Sequence, residues 1–480
     1  MQGGIDQRKV NYFYDVVRNG GTGNATLELV KRPGITRSGT TGLSGGTQYC
    51  IAEVGPADMW IANRVNSDNY VVNSGTSTVV LNSGSYVPYI LSATTVSNTI
   101  TGVMQYRQAT RTTAQRVFYA SAIGSWTEIT DSNFTALYHR GKMEFIDGYA
   151  LIMESNGGIY NSALNSLSSW PAINFIKRNT YYDDPVGLAR FGPQILAFGY
   201  NSVEGFVNAG NPTGSPLQRV QGLSKSIGMG ATASQGTLGQ GRTNYYTILG
   251  NRMYFVGRDA GGVSDQSLFA YDGQSYEKIQ SGALSRALSE IDSGNAEPSL
   301  YSVNKMSFLG RSAVAIQLTA PGTTNQKWLM FFPELNEWFE WESSVFSPVN
   351  ASGFFISGGT SLSQYTYAFT PSGASSNDWR DDYGNSNVAI TAKAQFRLPS
   401  NGNNRKFMDW FALEGDTESQ NYGVEFSDDD YSTFSTSRNI DMSTPEKRIN
   451  RCGSYKNRIV RLTHTANSEG RIRKALARVR

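Results

Sequence analysis

The sequence of 480 residues predicts an all-β protein, and three observations support that fold class. The chain is rich in Gly (50 residues), Tyr (26) and Phe (23), while only 17% of its residues are charged. Gly and Asn permit the positive φ angles of tight turns, whereas Thr, Val, Tyr and Phe fit a pleated surface. Short alternating apolar segments follow one another between such turns, and helical periodicity is almost absent.

Hairpins of alternating strands recur between Gln48 and Phe369. The clearest is MEFIDGYALIMESNGGIYNS (Met143–Ser162), in which IDG and NGG separate the strands. At about 40–50 residues per blade, this region predicts a β-propeller of about six blades, with a pair of β-sandwiches or a β-helix as alternatives. Similar hairpins are Ala189–Ala209, Tyr245–Asp259 with Ser267–Ile279, Lys305–Leu318 with Lys327–Glu342, and the weaker Cys50–Asn63 and Gln115–Ile129.

The remaining segments complete the predicted organisation. Residues 1–47 form an amino-terminal strand segment, residues 48–374 the propeller, and the polar stretch at residues 375–386 a linker. Four or five further strands in residues 387–480 predict an additional carboxyl-terminal β-sandwich-like domain. One exception to the β pattern is GALSRALSEI (Gly282–Ile291), whose apolar residues share one face of a short predicted helix.

Charge and cysteine content narrow the function classes. The net charge of +3 provides no strong overall field toward nucleic acid or a membrane. Cys50 and Cys452 are too few for a disulfide framework and are expected to be unpaired thiols. The polar start MQGGIDQRKV and the absence of a long apolar run predict a protein made and assembled in a cytoplasm.

The sequence offers little for metal, cofactor or nucleophilic chemistry. His139 and His464 are the only histidines, and neither belongs to HExxH or a similar ligand pattern, so no metal and no cofactor is predicted. Either histidine could serve a Ser-His-Asp triad, but no GxSxG motif accompanies them. The glycine-rich segments Asn19–Gly23, Ser44–Thr47 and Gly228–Gly241 lack the context of a nucleotide-binding loop and are predicted to be connecting loops.

Clustered carboxylates are candidates for catalytic groups. In the pairs Asp183-Asp184 and Asp381-Asp382, neighbouring side chains on a strand would point to opposite faces, so neither pair alone suits glycoside hydrolysis. The stretch FSDDDYSTFS (Phe426–Ser435) is instead predicted to be a structural turn. In this turn Asp429 accepts backbone amides, Ser427 and Thr433 add local bonds, and Phe434 packs inward.

The last ten residues, RIRKALARVR, carry five positive charges and no negative one. One interpretation is a contact for phosphate or for an acidic partner protein. The other is a final strand whose cationic side chains are solvated. The residues concerned are Arg471, Arg473, Lys474, Arg478 and Arg480.

An ordered series of short motifs runs through the middle of the chain. A VE-x-F strand is followed by G-S-P-x-x-x-V-x-G, a strand ending in G-x-D, a DG-x-x-Y segment and a short S-x-A helix. This order resembles the packaged-DNA stabilisation, or tail hub, proteins of short-tailed bacteriophages. The matching residues are Val203, Glu204, Phe206, Gly214, Ser215, Pro216, Gly222, Gly257, Asp259, Asp272, Gly273, Tyr276, Ser285 and Ala287.

Both ends of the chain extend the resemblance. The carboxyl block resembles the family's S-x-D-(G)-x-x-F turn followed by a basic strand, although the usual Gly of the turn is replaced near Tyr431. The amino-terminal Pro33-Gly34 and the strand pair around Trp328 and Trp338 are also similar to the family, whereas residues 60–135 match poorly. The basic strand is matched by Arg451, Gly453, Arg458, Val460 and Arg461.

The resemblance implies structural work in a virion tail and no enzymatic activity. Proteins of this family combine a β-propeller with a flat β platform, on which the amino-terminal segment packs, and form a ring, expected to be a hexamer. That ring lies below the head-tail adaptor proteins and extends the DNA channel. It helps to retain packaged DNA, which later passes through the channel, and it anchors tail fibres, spikes, or a needle or plug. A near-neutral chain suits such a channel, because strong phosphate pairing would impede DNA ejection.

Two other functions are compatible with the sequence. A carbohydrate-active propeller of the sialidase or glycosidase type is suggested by the S-x-D-x-x-x-T-F turn at Ser427–Phe434, which is similar to the Asp-box of sialidases. Asp-boxes recur once per blade, however, and this chain has one good copy, outside the predicted propeller. A binding propeller in a cell-surface complex is the third possibility.

Overall fold

The structure of the protein, a computed structural model, describes most residues of the chain. They are 8–18, 25–40, 47–53, 59–65, 68–73, 76–82, 86–108, 115–122, 124–229, 245–259, 266–279, 284, 302–318, 326–343, 346–348, 354–357, 365–369, 379–383, 386–399 and 404–480.

These residues form 41 strands and one short helix with described ends, so the predicted all-β fold class is confirmed. In chain order the first elements are β1 (Arg8–Val10), β2 (Tyr12–Arg18), β3 (Ala25–Lys31), β4 (Ile35–Thr40), β5 (Thr47–Glu53), β6 (Met59–Val65), β7 (Asp68–Asn73), β8 (Thr76–Asn82), β9 (Tyr86–Val96), β10 (Thr99–Gln108), β11 (Gln115–Ala120), β12 (Thr127–Glu128) and α1 (Ser132–Thr135). The middle elements are β13 (His139–Ile146), β14 (Tyr149–Glu154), β15 (Gly158–Asn161), β16 (Phe175–Lys177), β17 (Pro185–Phe191), β18 (Gln194–Gly199), β19 (Val203–Asn208), β20 (Leu217–Lys225), β21 (Ile227–Gly228), β22 (Tyr246–Leu249), β23 (Arg252–Asp259), β24 (Gln266–Tyr271), β25 (Tyr276–Ile279), β26 (Ser302–Phe308) and β27 (Arg311–Leu318). The last elements are β28 (Gln326–Phe332), β29 (Glu337–Ser343), β30 (Phe346–Pro348), β31 (Phe354–Ser357), β32 (Tyr365–Phe369), β33 (Arg380–Tyr383), β34 (Ser386–Ala389), β35 (Ala392–Arg397), β36 (Lys406–Gly415), β37 (Asn421–Ser427), β38 (Arg438–Asp441), β39 (Arg448–Tyr455), β40 (Ile459–His464) and β41 (Ile472–Val479).

The chain divides into two compact units. The central unit comprises Arg37–Gln326 and Val345–Ala368. The terminal unit comprises Met1–Thr36, Lys327–Ser344 and Phe369–Arg480, and thus contains both ends of the chain.

Small antiparallel sheets follow one another through the central unit. The orders are β5-β6-β7-β8, β12-β11-β10-β9, β13-β14-β15-β16, β17-β18-β19-β20 and β21-β23-β24-β25, with β22 also pairing with β23. The hairpin β26-β27 comes next along the chain. A further sheet has the order β30-β31-β32-β4. Strands consecutive in sequence are therefore neighbours in space, as in an antiparallel meander.

The sheets of the central unit pack in a closed circuit. Four hydrophobic clusters join the first five sheets pairwise in chain order. One contact of this kind is between Phe198 of β18 and Phe255 of β23, whose ring centroids lie 4.9 Å apart. β22 then contacts β26, β27 contacts β30, and β31 contacts β5 of the first sheet. Each sheet is thus covered on both faces by its neighbours, which explains why every residue from Ala150 to Met153 in β14 is buried. The predicted alternation of buried and exposed residues is therefore absent from such strands, because the side chains on both faces are apolar and buried.

Close approach of neighbouring sheets demands small residues at particular points. A Cβ atom added to Gly102 of β10 would lie 2.1 Å from the ring of the buried Trp60. The hairpin turns use glycine differently: Asp147 and Gly148, between β13 and β14, have φ angles of 47° and 84°. Both angles are positive, as in the Asp-Gly turns that join antiparallel strands most readily.

Two sheets face each other in the terminal unit. The first contains β28, β29, β1, β35, β40, β37 and β38, and the second has the order β2-β3-β41-β36-β39. Aromatic contacts join them: Phe411 of β36 lies 6.3 Å from both Phe396 and Phe426, and Phe13 of β2 lies 6.4 Å from Trp341 of β29. The core of this unit therefore lies between the two sheets.

Asn11 moves the chain from one of these sheets to the other. It lies between β1 and β2 with a positive φ of 56°, and its backbone N–H donates to Glu340 O at 2.7 Å. Its side-chain oxygen accepts bonds from Glu342 N and Arg32 Nε, both at 2.9 Å. Asn is one of the few non-glycine residues that adopts this backbone conformation readily.

A buried ion pair connects the distant segments of the terminal unit. Arg32 contacts both carboxylate oxygens of Asp381, at 2.9 and 2.8 Å, and both side chains are almost completely buried. Asp381 also accepts bonds from Ser343 Oγ and Ile35 N, while Arg32 donates to Glu342 O. Both charges are therefore surrounded by hydrogen-bond partners, the condition under which a buried pair is tolerated.

The structure bears on two elements predicted from the sequence, the linker and the short helix. Arg380–Tyr383, inside the predicted linker at residues 375–386, is the strand β33, which pairs with β34. The buried Asp381 of this strand contacts Arg32. The helix predicted at Gly282–Ile291 lies outside the described residues except for Leu284, which is helical and buried.

Among the described residues, no helix has the length and apolar character that crossing a membrane requires.

Removal of the Asp381 carboxylate is expected to destabilise the protein strongly. Asp381→Ala leaves the Arg32 guanidinium buried without its counter-charge, which costs about 3–5 kcal/mol of unfolding free energy. The matched control is Glu277→Ala, which removes the exposed pair with Arg252 and costs about 1 kcal/mol or less. Urea denaturation followed by tryptophan fluorescence measures both, and equal losses in the two variants would contradict the assigned role.

Candidate interaction surface

Asp429 organises the turn after β37. Its Oδ1 accepts bonds from Ser427 Oγ at 2.8 Å and Thr433 N at 2.9 Å, and its Oδ2 accepts from Thr433 Oγ1 at 2.5 Å. These bonds lower the pKa of the Asp429 carboxyl to about 2, with the hydroxyl of Thr433 as the largest cause. The structure thus brings Ser427, Asp429 and Thr433 together around one carboxylate.

Phe434 lies beside this turn and is half-buried. The Arg461 guanidinium lies 3.6 Å above its ring, and Arg461 also pairs with Glu425 at 2.6 Å. Tyr431 of this turn adopts a positive φ of 75°, a conformation that a residue with a side chain adopts at a higher cost than glycine does.

The two aspartates that flank Asp429 form ion pairs. Asp428 pairs with the buried Arg458 through two contacts of 2.7 and 2.6 Å, and Asp430 pairs with Arg397. Arg458 also lies over the rings of Tyr455 and Phe426. Each of the three aspartates therefore has its own separate set of partners and none shares a site with another.

Carboxylates surround the predicted basic segment. Arg471 contacts Glu28 at 3.0 Å, Asp15 at 3.2 Å and Glu469, whose bond is the largest cause that raises the pKa of Arg471. Arg473 contacts Glu28 at 2.8 Å and Asp416 at 2.5 Å. These two cations are thus occupied within the terminal unit.

The outer cations of the segment have looser partners. Lys474 lies 3.8 Å from Glu414, Arg478 lies 3.5 Å from Asp409, and Arg480 lies 2.8 Å from the same aspartate. All three side chains are more than half exposed, and exposed pairs of this kind contribute little free energy. Their charge remains available to a partner that approaches from solvent.

A shallow depression of 440 Å³ lies beside β41. Trp410, Ala412 and Leu476 supply its apolar surface, and the segment Pro445–Arg448 forms another side. Glu414, Glu446 and Arg448 place charges of both signs around it. Mixed charge around an apolar centre is typical of a surface that contacts protein.

A buried polar cluster under β41 was not predicted from the sequence. Lys31 Nζ donates to Ala466 O at 2.6 Å, and burial, followed by the neighbouring Arg32, lowers the pKa of Lys31 to about 7. His464 is also buried, which lowers its pKa to about 3, and its ring stacks 4.6 Å from that of Tyr422. A Cβ on Gly470 would lie 2.8 Å from the Tyr422 hydroxyl, so this cluster is closely packed.

The contacts of His464 differ from those of a catalytic triad. Its Nε2 lies 3.2 Å from Ser468 Oγ, but Ser468 Oγ itself donates to Glu418 at 2.7 Å. In a triad the imidazole lies between the hydroxyl and the carboxylate. Here the Ser468 hydroxyl lies between the imidazole of His464 and the carboxylate of Glu418. The other histidine, His139, is buried beside Phe134 O, and burial lowers its pKa to about 4.

In the central unit, Asp183 of the pair Asp183-Asp184 has a structural role. Asp183 accepts bonds from Ser202 Oγ at 2.7 Å, Asn201 N at 2.5 Å and Arg178 at 2.9 Å. Although burial works to raise it, these contacts hold the pKa of Asp183 below its usual value. Glu204, completely buried, lies 2.9 Å from Arg219 Nε and 3.8 Å from Arg178 Nε. Together they fix the loop between β16 and β17.

Neither a metal site nor a matching family assigns a function to the polar residues described above. Within the described part of the chain, no group of three or more His, Cys, Asp or Glu residues could hold a metal ion. No family model matches the chain, and no curated protein matches it.

Solved structures show weak likenesses. YCF48 bound to D1 peptide has a TM-score of 0.35 and 12% identity, covering 72% of this chain and 97% of that one. A chain of the mitotic checkpoint complex has a TM-score of 0.37 and 8% sequence identity, and the match covers 70% of this chain and 93% of that one. An exo-β-1,3-galactanase from Phanerochaete chrysosporium has a TM-score of 0.29 and 9% sequence identity, and the match covers 92% of this chain and 100% of that one. At these values the likenesses assign neither a family nor an activity.

Asp429→Ala is expected to lower stability modestly, because three bonds of the turn lose their acceptor. The folded-state pKa of about 2 lies below the ordinary 3.8, so the contribution of Asp429 is complete above pH 4 and declines as pH falls through about 2. Thermal melting at pH 7 and pH 3, together with titration of the carboxyl by NMR, measures both effects. Asp430→Ala is the control, and an Asp429 carboxyl that titrates at its ordinary pKa would contradict the described turn.

Lys31 is expected to make stability rise with pH. Between its folded pKa of about 7 and its ordinary value of 10.5, the unfolded chain holds a proton that the folded protein has released. Below pH 7 both states are protonated and Lys31 adds no slope. In Lys31→Met the free energy of unfolding should therefore rise less steeply between pH 7 and pH 9 than in the wild type. Lys474→Met, on the exposed strand, should keep the wild-type slope, and an unchanged slope in Lys31→Met would refute the prediction.

Proposed function

We propose that this protein is a structural component of a bacteriophage tail, a tail hub or nozzle of a short-tailed phage. In this proposal its copies form a ring, expected to be a hexamer, below the head-tail adaptor. The ring extends the channel for DNA, helps to retain packaged DNA, and anchors fibres, spikes or a plug. The protein then belongs to the virion and is assembled in the host cytoplasm.

The observation that supports this proposal is the position of the ordered motif residues in the two units. Gly214, Gly273 and Gly453 have positive φ angles of 76°, 102° and 79°, so these three motif glycines stand where the backbone favours glycine. Glu204 of the VE-x-F strand and Arg458 of the carboxyl block are buried in ion pairs. These five residues of the resemblance therefore have structural reasons to be what they are.

The finer architecture forms part of the same proposal. The closed circuit of small antiparallel sheets in the central unit supports a β-propeller, in which radial closure limits exposed edges. In this proposal the six sheets of at least four strands are the predicted blades, of which about six are expected, and the hairpin β26-β27 lies between two of them. The terminal unit, with its two facing sheets, corresponds to the platform.

The proposal assigns a structural role and no catalysis to the polar residues that the sequence singles out. Asp183, Asp381 and Asp429 are each engaged by several hydrogen bonds within their own unit. Ion pairs of this kind fix loops and segments, as a rigid ring subunit requires. The Asp429 turn, similar to an Asp-box, lies in the terminal unit and uses its carboxylate entirely for local bonds.

Ring formation tests the proposal directly. Mass photometry and negative-stain electron microscopy of the purified chain, alone and mixed with a head-tail adaptor protein, should show closed rings several times the 52.5 kDa of one chain. Heterologous contacts between identical copies close into rings when the rotation permits, so a discrete particle mass is expected. A chain that stays monomeric in both preparations, or that hydrolyses oligosaccharides in a glycan screen, would overturn the proposal.

A further inference from the structure

β41 has a paired edge and an open edge. It pairs with β36 along its length, from Met408 with Val479 to Gly415 with Ile472. On its other side it pairs with β3 only at Leu29 and Ile472. Among the described residues, no other strand pairs with the open edge of Arg473–Val479, and all seven of these residues are exposed.

The direction of the backbone groups along this edge follows from one pair of bonds. Arg480 N donates to Phe407 O at 2.9 Å, and Phe407 N donates to Arg480 O at 3.0 Å. Successive residues of an antiparallel strand direct their backbone groups to alternate sides. Asp409 is the extra residue of one bulge and lies on β36, whereas Arg473 is the extra residue of a second bulge and lies on β41. The alternation along β41 is therefore unbroken from Lys474 to Arg480. Val479, Ala477 and Ala475 therefore direct their N–H and C=O groups to the open edge.

The side chains on β41 leave this edge accessible. Ala475 and Ala477 are small, while Leu476 and Val479 expose 43% and 41% of their surface on opposite faces of the strand. Proteins usually protect a long edge strand, because its unpaired backbone groups are a template for another strand. Lys474 and Arg478 contact Glu414 and Asp409 of β36, and because both side chains are more than half exposed, their charge is accessible from solvent.

We propose that the open edge of β41 binds an extended, acidic strand of another protein by strand addition. Backbone bonds to Ala475, Ala477 and Val479 supply the pairing. Alternating side chains of the partner place its carboxylates on the face of β41 that carries Lys474 and Arg478, and its apolar groups on the opposite face, which carries the two alanines and Val479. Opposite charges directly across two strands attract, which favours an acidic partner. DNA fits less well, because a duplex has no peptide N–H and C=O groups with which to pair along a strand edge. This inference goes beyond the proposed function and does not depend on it.

A peptide experiment with the full chain tests the strand addition. The probe is a fluorescent peptide of about eight alternating Glu and Val residues, the length of an ordinary strand, measured by fluorescence anisotropy at low salt. Ala477→Pro removes an outward N–H without removing a bond to β36, a position where an edge strand accepts proline. We expect this variant to bind at least about 10-fold more weakly, a loss of about 1.4 kcal/mol. The matched control Ala477→Val keeps the N–H and should bind as the wild type does.

A second probe keeps the test independent of how the variants fold. The same peptide with N-methyl groups on alternate residues cannot form the backbone ladder, and we expect it to bind about 10-fold more weakly to the wild type. Lys474→Ala with Arg478→Ala should weaken the unmodified peptide and reduce its salt dependence.

Three outcomes would overturn the inference. One is equal binding of the methylated and unmodified peptides. Another is tighter binding of a DNA duplex of equal charge that Ala477→Pro leaves unchanged, which would indicate a phosphate site. The third is self-association of the chain that Ala477→Pro abolishes while the peptide fails to bind, which would make a second copy the occupant.

Discussion

The buried contact between Arg32 and Asp381 is the constraint on which the terminal unit depends. It joins three parts of the chain, because Arg32 follows β3, Asp381 lies in β33, and Glu342 and Ser343 end β29. Burial of two charges is unfavourable unless every polar atom finds a partner, and here Asn11, Ser343 and the backbone supply those partners. The value of such a contact lies in uniqueness: an alternative packing of these segments would leave a charge without a partner.

The central unit depends on a different principle. Its sheets are small and would each expose two apolar faces if they stood alone, so stability comes from stacking sheet on sheet. The closed circuit of contacts leaves no first or last face uncovered. Interior strands such as β14 consequently carry apolar residues at consecutive positions, and glycines such as Gly102 mark where a large side chain of the next sheet is received.

Local chemistry was predictable from the sequence, and distant pairing was not. The Asp147-Gly148 turn and the bonds around Asp429 involve residues within a few positions of one another, so the sequence contains the whole interaction. Arg32 and Asp381 are 349 positions apart, and nothing in either neighbourhood identifies the other. The same limit explains why Asp381 was assigned to a linker. It also explains why the carboxylates beside Arg473 were not anticipated, since Glu28 is 445 positions away. The burial of Lys31 and of His464 was not predicted for the same reason.

The position of β41 has a consequence for the order in which the molecule is made. Arg471 contacts Asp15 and Glu28, residues that leave the ribosome more than four hundred positions earlier. The sheets of the central unit form from consecutive strands and can pair during synthesis, whereas the β2-β3 hairpin waits for β36 and β41 before its sheet is complete. Closing so long a loop adds little to its equilibrium cost but delays its formation. During that interval the apolar faces of β2 and β3 are the surfaces most exposed to premature association.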